Sequence, residues 1–272
     1  MPEGDTLFRI ATGLRPHLSG RRIVAATARR PGPRAELLVG ATCESVEARG
    51  KHLLLRFDNG LVLRTHLGMH GSWHRYAPGE RWQRPPARAR VVLETESAVA
   101  VCFDAPTVEL FDGRAESVHP ALSALGPDLL SPDFEDATAD EVLRRLRAPE
   151  RAGLTIAEAL LDQRAMAGVG NVYKSETLFV ERVDPFARVA DLDDRTLRRL
   201  VATARRLLMA NTAGGPRTTL PPGAGSRKPM GGLWVYDRSG RPCRRCGTPI
   251  ERRSHGELDR STYWCPNCQE SR

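Results

Sequence analysis

Apolar residues recur three and four apart near the start of the chain, where Leu7, Ile10, Leu14 and Leu18 would line one face of a helix beginning near Glu3 and ending at Gly20. From Arg22 to about Phe111 the pattern changes to short runs of Val, Leu and Thr. Ile23 to Thr27, His52 to Phe57, Leu61 to Thr65, Val91 to Thr95 and Val99 to Phe103 are predicted as strands. Asn59-Gly60 separates two of them and signals a hairpin, because both residues tolerate positive φ. The strand pattern stops around Gly126-Pro127-Asp128 and Ser131-Pro132-Asp133, where a linker is expected. Helical periodicity follows over Ala139 to Leu146, Leu154 to Asp162, Val172 to Glu181 and Leu192 to Met209, the last with Asp193 and Asp194 placed to cap its start. Six Gly and four Pro between Thr212 and Gly232 predict a mobile loop.

At 272 residues the chain is long enough for two domains with buried cores. Its 27% charged and 40% apolar residues are those of a globular protein, and no apolar run reaches the ~18 residues of a membrane span. Met1-Pro2-Glu3-Gly4-Asp5 has neither the basic nor the apolar region of a secretory signal, so the cytoplasm is the expected compartment. Forty-one Lys and Arg against 33 Asp and Glu leave +8, which favours a polyanionic partner. Only Lys51, Lys174 and Lys228 among those cations are lysines, so each asks for a chemical reason.

Cys243-x2-Cys246 and Cys265-x2-Cys268 stand eighteen residues apart. Each pair can present two thiolates to one metal, and two pairs complete the tetrahedral shell of a structural zinc with no position left for a catalytic water. Disulfides are the alternative, disfavoured in a reducing compartment. Cys43 and Cys102 lie in strand-like context and read as small buried hydrophobes. From Arg227 to Arg272 ten Lys or Arg face five Asp or Glu, so this short segment carries much of the positive field. Between the second and third of the predicted helices after the linker, Gly168-Val169-Gly170-Asn171 lets the backbone approach a ligand at a helix N-terminus, an anion site or else an ordinary Asn cap.

Gly168-Val169-Gly170-Asn171-Val172-Tyr173-Lys174-Ser175-Glu176 resembles the helix-two-turn-helix element of the formamidopyrimidine-DNA glycosylase and endonuclease VIII family. The resemblance extends in order through Pro2-Glu3-Gly4, Gly50-Lys51-His52, His66-Leu67-Gly68-Met69-His70-Gly71 and Arg260-Ser261-Thr262-Tyr263-Trp264-Cys265-Pro266-Asn267-Cys268-Gln269. It implies an α+β protein of two domains: an N-terminal helix with an antiparallel β-sandwich over 1–125, a linker over 126–137, a helix-two-turn-helix domain over 138–232 and a zinc ribbon over 233–272.

The chemistry that the family implies is physically reasonable for these residues. A small second residue permits loss of the initiator Met, leaving Pro2 as a secondary α-amine. An α-amine of pKa ~7.7–8.0 is partly neutral at pH 7, whereas a Lys at ~10.4 is hardly so. The resemblance makes Pro2 the Schiff-base nucleophile, Glu3 the proton donor, Lys51 a phosphate contact and proton donor in β-elimination, and Arg260 the finger residue that grips phosphate and assists δ-elimination. Arg252 and Arg253 are alternatives for that grip. Met69 stands where the family fills the gap left by an everted nucleotide, although a core Met is an equal reading. Asn171 becomes a DNA contact, and His66 reads as a structural His.

Two departures bear on the substrate. The Arg-Arg-Phe-Gly loop of formamidopyrimidine enzymes is replaced by Pro106-Thr107-Val108-Glu109-Leu110-Phe111, and an Arg that binds DNA in some endonuclease VIII proteins falls at Ala124. His119-Pro120-Ala121-Leu122, Gly126 to Leu130 and Tyr263-Trp264-Cys265 resemble endonuclease VIII more closely, so oxidised pyrimidines are the expected lesions. The expectation is a monomeric DNA glycosylase and abasic-site lyase with one structural zinc, acting on damaged duplex DNA. Its rivals are a damaged-DNA-binding protein of the same fold without catalysis, and a zinc-ribbon adaptor for RNA.

Overall fold

The predicted apolar stripe forms α1 (Gly4–Leu18), with Leu7, Ala11, Leu14 and Leu18 buried and Ile10 partly so. In this computed structural model, which describes residues 2–29, 31–221, 232–256 and 259–270, the chain divides into two units, Met1–Ala124 and Leu125–Arg272. Among the described residues no helix is long and apolar enough to cross a membrane.

In the first unit, α1 lies on a sandwich of two antiparallel sheets. The strands are β1 (Arg21–Arg22), β2 (Ala25–Ala28), β3 (Thr42–Arg49), β4 (His52–Phe57), β5 (Leu61–His66), β6 (Ser72–Tyr76), β7 (Ala89–Glu94), β8 (Val99–Phe103) and β9 (Thr107–Asp112). One sheet has the order β1-β3-β4-β5-β9 and the other β2-β7-β8-β6. The single strand predicted over Ile23 to Thr27 is instead the passage between sheets. Ile23 N–H donates to Ala41 on the side of the first sheet, and the next N–H, Val24, donates to Glu94 of the second. Strands β3, β6 and β9 escape the apolar pattern because each mixes charged with apolar residues. Leu7, Leu14, Val46, Leu53, Leu55, Leu63, Val91 and Leu93 share one core. Cys43 and Cys102 are buried, and burial pushes the Cys43 thiol up to about 12, which keeps it an inert core group.

In the second unit, the helices are α3 (Asp136–Leu146), α4 (Ile156–Ala159), α5 (Asn171–Glu181) and α6 (Asp194–Met209), numbered after the short α2 (Pro120–Ser123) that closes the first unit. The helix predicted over Leu154 to Asp162 contracts to one turn. Its start has a capping box of Thr155 and Glu158, with the first-turn N–H groups of Ile156 and Ala157 donating to Ala187 and Pro185, and it ends where Leu161 and Asp162 N–H turn back three residues to Glu158 and Ala159. Asp193 caps α6 by accepting from Thr196 N at 2.8 Å, as expected, and its Leu197, Leu200, Ala204, Leu207 and Leu208 are buried.

The hairpin of β10 (Glu251–His255) and β11 (Arg260–Trp264) packs through Tyr263 and Cys265 with Val235, Ile250 and Phe179 of α5. Of the predicted loop, residues 222–231 lie outside the described residues, as does Lys228. Its feet are pinned: Thr219 N–H donates to Gly232 at 2.8 Å, and Asn211 bonds both N–H and C=O of Thr218 at 2.8 Å.

Candidate active site and nucleic-acid interface

Pro2 and Glu3 stand immediately before the first turn of α1. Glu3 is the helix N-cap by backbone, its carbonyl accepting from Thr6 and Leu7, and its carboxyl side chain is fully buried. Asp5, also fully buried, lies 3.9 Å from Arg9 and accepts from Thr6 Oγ1 at 3.3 Å. Met1 lies outside the described residues.

Lys51 occupies a two-residue turn between β3 and β4, where Gly50 adopts φ +58° and Arg49 pairs with His52. Because His52 pairs with His66 across β4 and β5, the Lys51 turn and the segment after His66 share one end of the sheet. That segment is a tight turn closed by Gly71 N–H to Leu67 C=O at 2.8 Å. Gly68 holds φ +59°, and a Cβ there would come within 2.8 Å of Pro106, so only glycine fits. Met69 at its tip is 61% exposed, which removes the core reading. His52 and His66 rings lie 5.1 Å apart, with burial and Arg64 lowering both, His52 to about 3. Both are neutral structural histidines at physiological pH.

In the second unit the glycine turn is braced from within. Gln163 Nε2 donates to Leu161 C=O at 2.8 Å and Val169 C=O at 3.0 Å, and its Oε1 accepts from Gly168 N at 3.1 Å. Gly126 to Leu129, expected as linker, lies against this turn: Gly126 N–H donates to Gln163 and Ala167 N–H to Pro127, both at 2.8 Å. Asn171 is the first residue of α5 rather than its cap. The cap is Gly170, with no side-chain capping bond. That removes the ordinary-cap reading, and Asn171 Oδ1 faces Lys174 Nζ at 3.5 Å.

Arg260 opens β11 and is exposed. Its rivals are engaged elsewhere: Arg252 donates to Ser261 Oγ at 2.8 and 3.1 Å, and the Arg253 guanidinium lies over the Phe186 ring at 5.3 Å. Behind β11, three consecutive α5 residues, Lys174, Ser175 and Glu176, are fully buried. Glu176 accepts from the N–H groups of Trp234, Val235 and Tyr236 at 2.7, 2.9 and 2.8 Å, and from Thr219 Oγ1. Burial pushes the Glu176 carboxyl up while these donors pull it back. Sequence reading assigned no role to Lys174 or Glu176; the only signal was the rarity of lysine.

The sulfur atoms of Cys243, Cys246, Cys265 and Cys268 all lie within 4.8 Å of one another, the pairs Cys243–Cys268 and Cys246–Cys265 at 4.0 and 3.4 Å. A tetrahedral zinc with bonds of ~2.3 Å would space its sulfurs ~3.8 Å apart, whereas a disulfide needs ~2.05 Å. The four cysteines therefore fit one zinc ion with a closed shell. Among the described residues they are the one cluster of three or more His, Cys, Asp or Glu side chains placed to share a metal ion. The stretch from Pro106 to Phe111 is largely β9, hydrogen-bonded along β5.

Three family models match the chain in order. They are the formamidopyrimidine-DNA glycosylase N-terminal domain over residues 1–107, the formamidopyrimidine-DNA glycosylase H2TH domain over 125–220, and the zinc finger found in FPG and IleRS over 240–270. The chain is 42% identical to the probable endonuclease 8 2 of Streptomyces coelicolor, over 99% of its own length and 94% of that protein. It is 41% identical to the DNA-(apurinic or apyrimidinic site) lyase Nei2 of Mycolicibacterium smegmatis, over 99% of both. The crystal structure of the MutM (Fpg) protein from Thermus thermophilus is similar over the whole of both chains, with TM-score 0.79 and 31% identity. A Lactococcus lactis formamidopyrimidine-DNA glycosylase bound to DNA containing an abasic site shares the fold at TM-score 0.78 and 21% identity, over 99% of this chain and 100% of that one.

Proposed function

This chain belongs to the formamidopyrimidine-DNA glycosylase and endonuclease VIII family, and on that premise we propose that it removes oxidised pyrimidines from duplex DNA through Pro2 and then nicks the strand. It is a DNA glycosylase with abasic-site lyase activity, and its zinc is structural.

Loss of Met1 frees the Pro2 nitrogen at the start of α1, where an α-amine is partly neutral at pH 7. The nitrogen lone pair attacks C1′ of an extruded nucleotide, and Glu3 supplies a proton as the sugar ring opens and the base departs with the glycosidic electrons. As the C1′–O4′ bond breaks, O4′ takes the proton as a hydroxyl and the nitrogen lone pair closes the cationic iminium at C1′. That cation takes up the electrons released when a C2′ proton leaves, and the C3′–O bond breaks with phosphate as leaving group. Lys51 and Arg260 supply positive charge to the phosphates, Asn171 a neutral donor, and Met69 an apolar wedge for the vacated stack. The relatives named endonuclease 8 and a Pro106–Phe111 sequence without the Arg-Arg-Phe-Gly motif support pyrimidine over purine lesions. The protein acts as a monomer on DNA in the cytoplasm.

The observation that carries this reading is a buried carboxyl, Glu3, next to the residue that becomes the α-amine. Borohydride trapping on duplexes carrying one oxidised pyrimidine or one 8-oxoguanine tests it. The adduct is expected on Pro2 by mass spectrometry, in higher yield with the pyrimidine. An adduct on another residue, or full activity with Met1 retained, would overturn the assignment. Cutting confined to 8-oxoguanine would overturn only the substrate.

A further inference from the structure

Lys174 is fully buried, in a protein that uses lysine at only three positions. A buried ammonium is tolerated when its three N–H donors find acceptors. Here Nζ donates to Thr262 Oγ1 at 2.8 Å, to Ser261 C=O at 2.9 Å and, at a longer 3.5 Å, to Asn171 Oδ1. Two of these acceptors are in β11, immediately after Arg260, and the third is one helical turn earlier on α5. Packing alone would be served by an apolar chain of similar length, so the charge and its donors need another explanation.

We propose that Lys174 is a positioning residue that locks Asn171 and the strand of Arg260 into one phosphate-gripping unit. The inference rests on the roles given above to Asn171 and Arg260. With Oδ1 committed to the ammonium, the Asn171 carboxamide offers its Nδ2 donors to a phosphate, the polarity that an anion requires. Anchoring the Ser261 carbonyl and the Thr262 hydroxyl fixes the peptide that follows Arg260, and hence the direction in which the guanidinium leaves β11. Ser175 adds a second anchor, accepting from Tyr263 N at 3.3 Å. A phosphate contact that needs a guanidinium and an amide in fixed relation loses more by misplacement than by the loss of either hydrogen bond alone.

Zinc-loaded full-length protein with an abasic-site duplex provides the test, reading affinity and the ratio of β- to δ-elimination products. Lys174→Met is expected to weaken binding about ten-fold and to shift products towards β-elimination, and Lys174→Gln, which keeps two donors, to recover part of both. Added to Arg260→Ala, Lys174→Met should cost little more, because the strand it positions has lost its guanidinium. Zinc content and the unfolding midpoint report on the fold, and Lys174→Gln carries the same comparison if Lys174→Met does not fold. Unchanged affinity and product ratio in the Lys174 variants, or costs that simply add in the double variant, overturn the inference. If Asn171→Ala and Arg260→Ala themselves leave both readouts unchanged, it is the underlying reading that fails.

Discussion

In the first unit Pro2, Lys51 and Met69 stand at a helix start and two tight turns, above a core of Leu7, Leu14, Val46, Leu53 and Leu55. In the second, Asn171 and β11 are held by buried polar side chains of α5, Lys174 and Ser175, while Glu176 beside them holds the 234–236 segment. An apolar core fixes where a turn lies but not how a side chain on it points, which would suit the space-filling role proposed for Met69. A buried polar network has directional bonds, and it suits groups that must meet phosphate oxygens at set angles. The finger is also small, with a core of six buried residues among those described, Phe179 of α5 included, so it leans on metal and on α5 where the sandwich has a far larger apolar core of its own.

The strongest way to sharpen this contrast is removal of zinc. Chelation should lower affinity for lesion-containing duplex by roughly a hundred-fold or more, since a structural zinc supplies much of a small domain's folding free energy. Limited proteolysis should then cut around β10 and β11 while the first unit stays resistant. Zinc-free protein, verified by metal analysis, that still bound with full affinity would refute the dependence.

A smaller effect is expected from acid on the first unit. Unfolded, His52 takes a proton near 6.5; folded, at about 3, because burial and Arg64 oppose the charge. Between those values the unfolded chain binds more protons, so stability falls as pH drops below about 6.5 and this loss ends near 3. The window from pH 6.5 to 5 is cleanest, because carboxylates held low by arginine, such as Glu116, titrate below their usual 4.5. The unfolding midpoint should decline across it, and His52→Gln should flatten the decline. An unchanged slope in that variant would assign the effect elsewhere.

The smallest change in stability is expected at Met69. At 61% exposure its replacement by Ala should alter stability by no more than about 0.5 kcal/mol, yet reduce nicking of a lesion duplex several-fold. A large fall in the unfolding midpoint would instead mark it as a packing residue.

Much of this was legible along the chain. The α1 stripe, the Asn59-Gly60 turn with φ +80° at Gly60, the α6 cap and the cysteine pairs each depend on neighbours a few residues away. Legibility failed where a segment's partners lie elsewhere in the fold. Ile23-Val24 looked like one strand because both residues are apolar, but their hydrogen bonds go to different sheets. Leu154 to Asp162 had helical periodicity, yet Leu161 and Asp162 N–H turn back only three residues, to Glu158 and Ala159, and Asp162 is held by Arg151 eleven residues away. Met69 and Asn171 each had two readings, and exposure and cap geometry removed the bland one in both cases.

The amino-acid order alone determined which residue types the proposed chemistry would use, a proline at the second position with an acid beside it and a lysine after Gly50, and set four thiols in two close pairs. Those depend on chain spacing, which covalent geometry preserves whatever the fold. Only the tertiary structure decided what Lys174 and Glu176 do, because their partners at Thr262 and Thr219 lie 88 and 43 residues away. A hydrogen bond over that separation is specified by packing, since it exists only once burial has brought the donor and the acceptor together out of water.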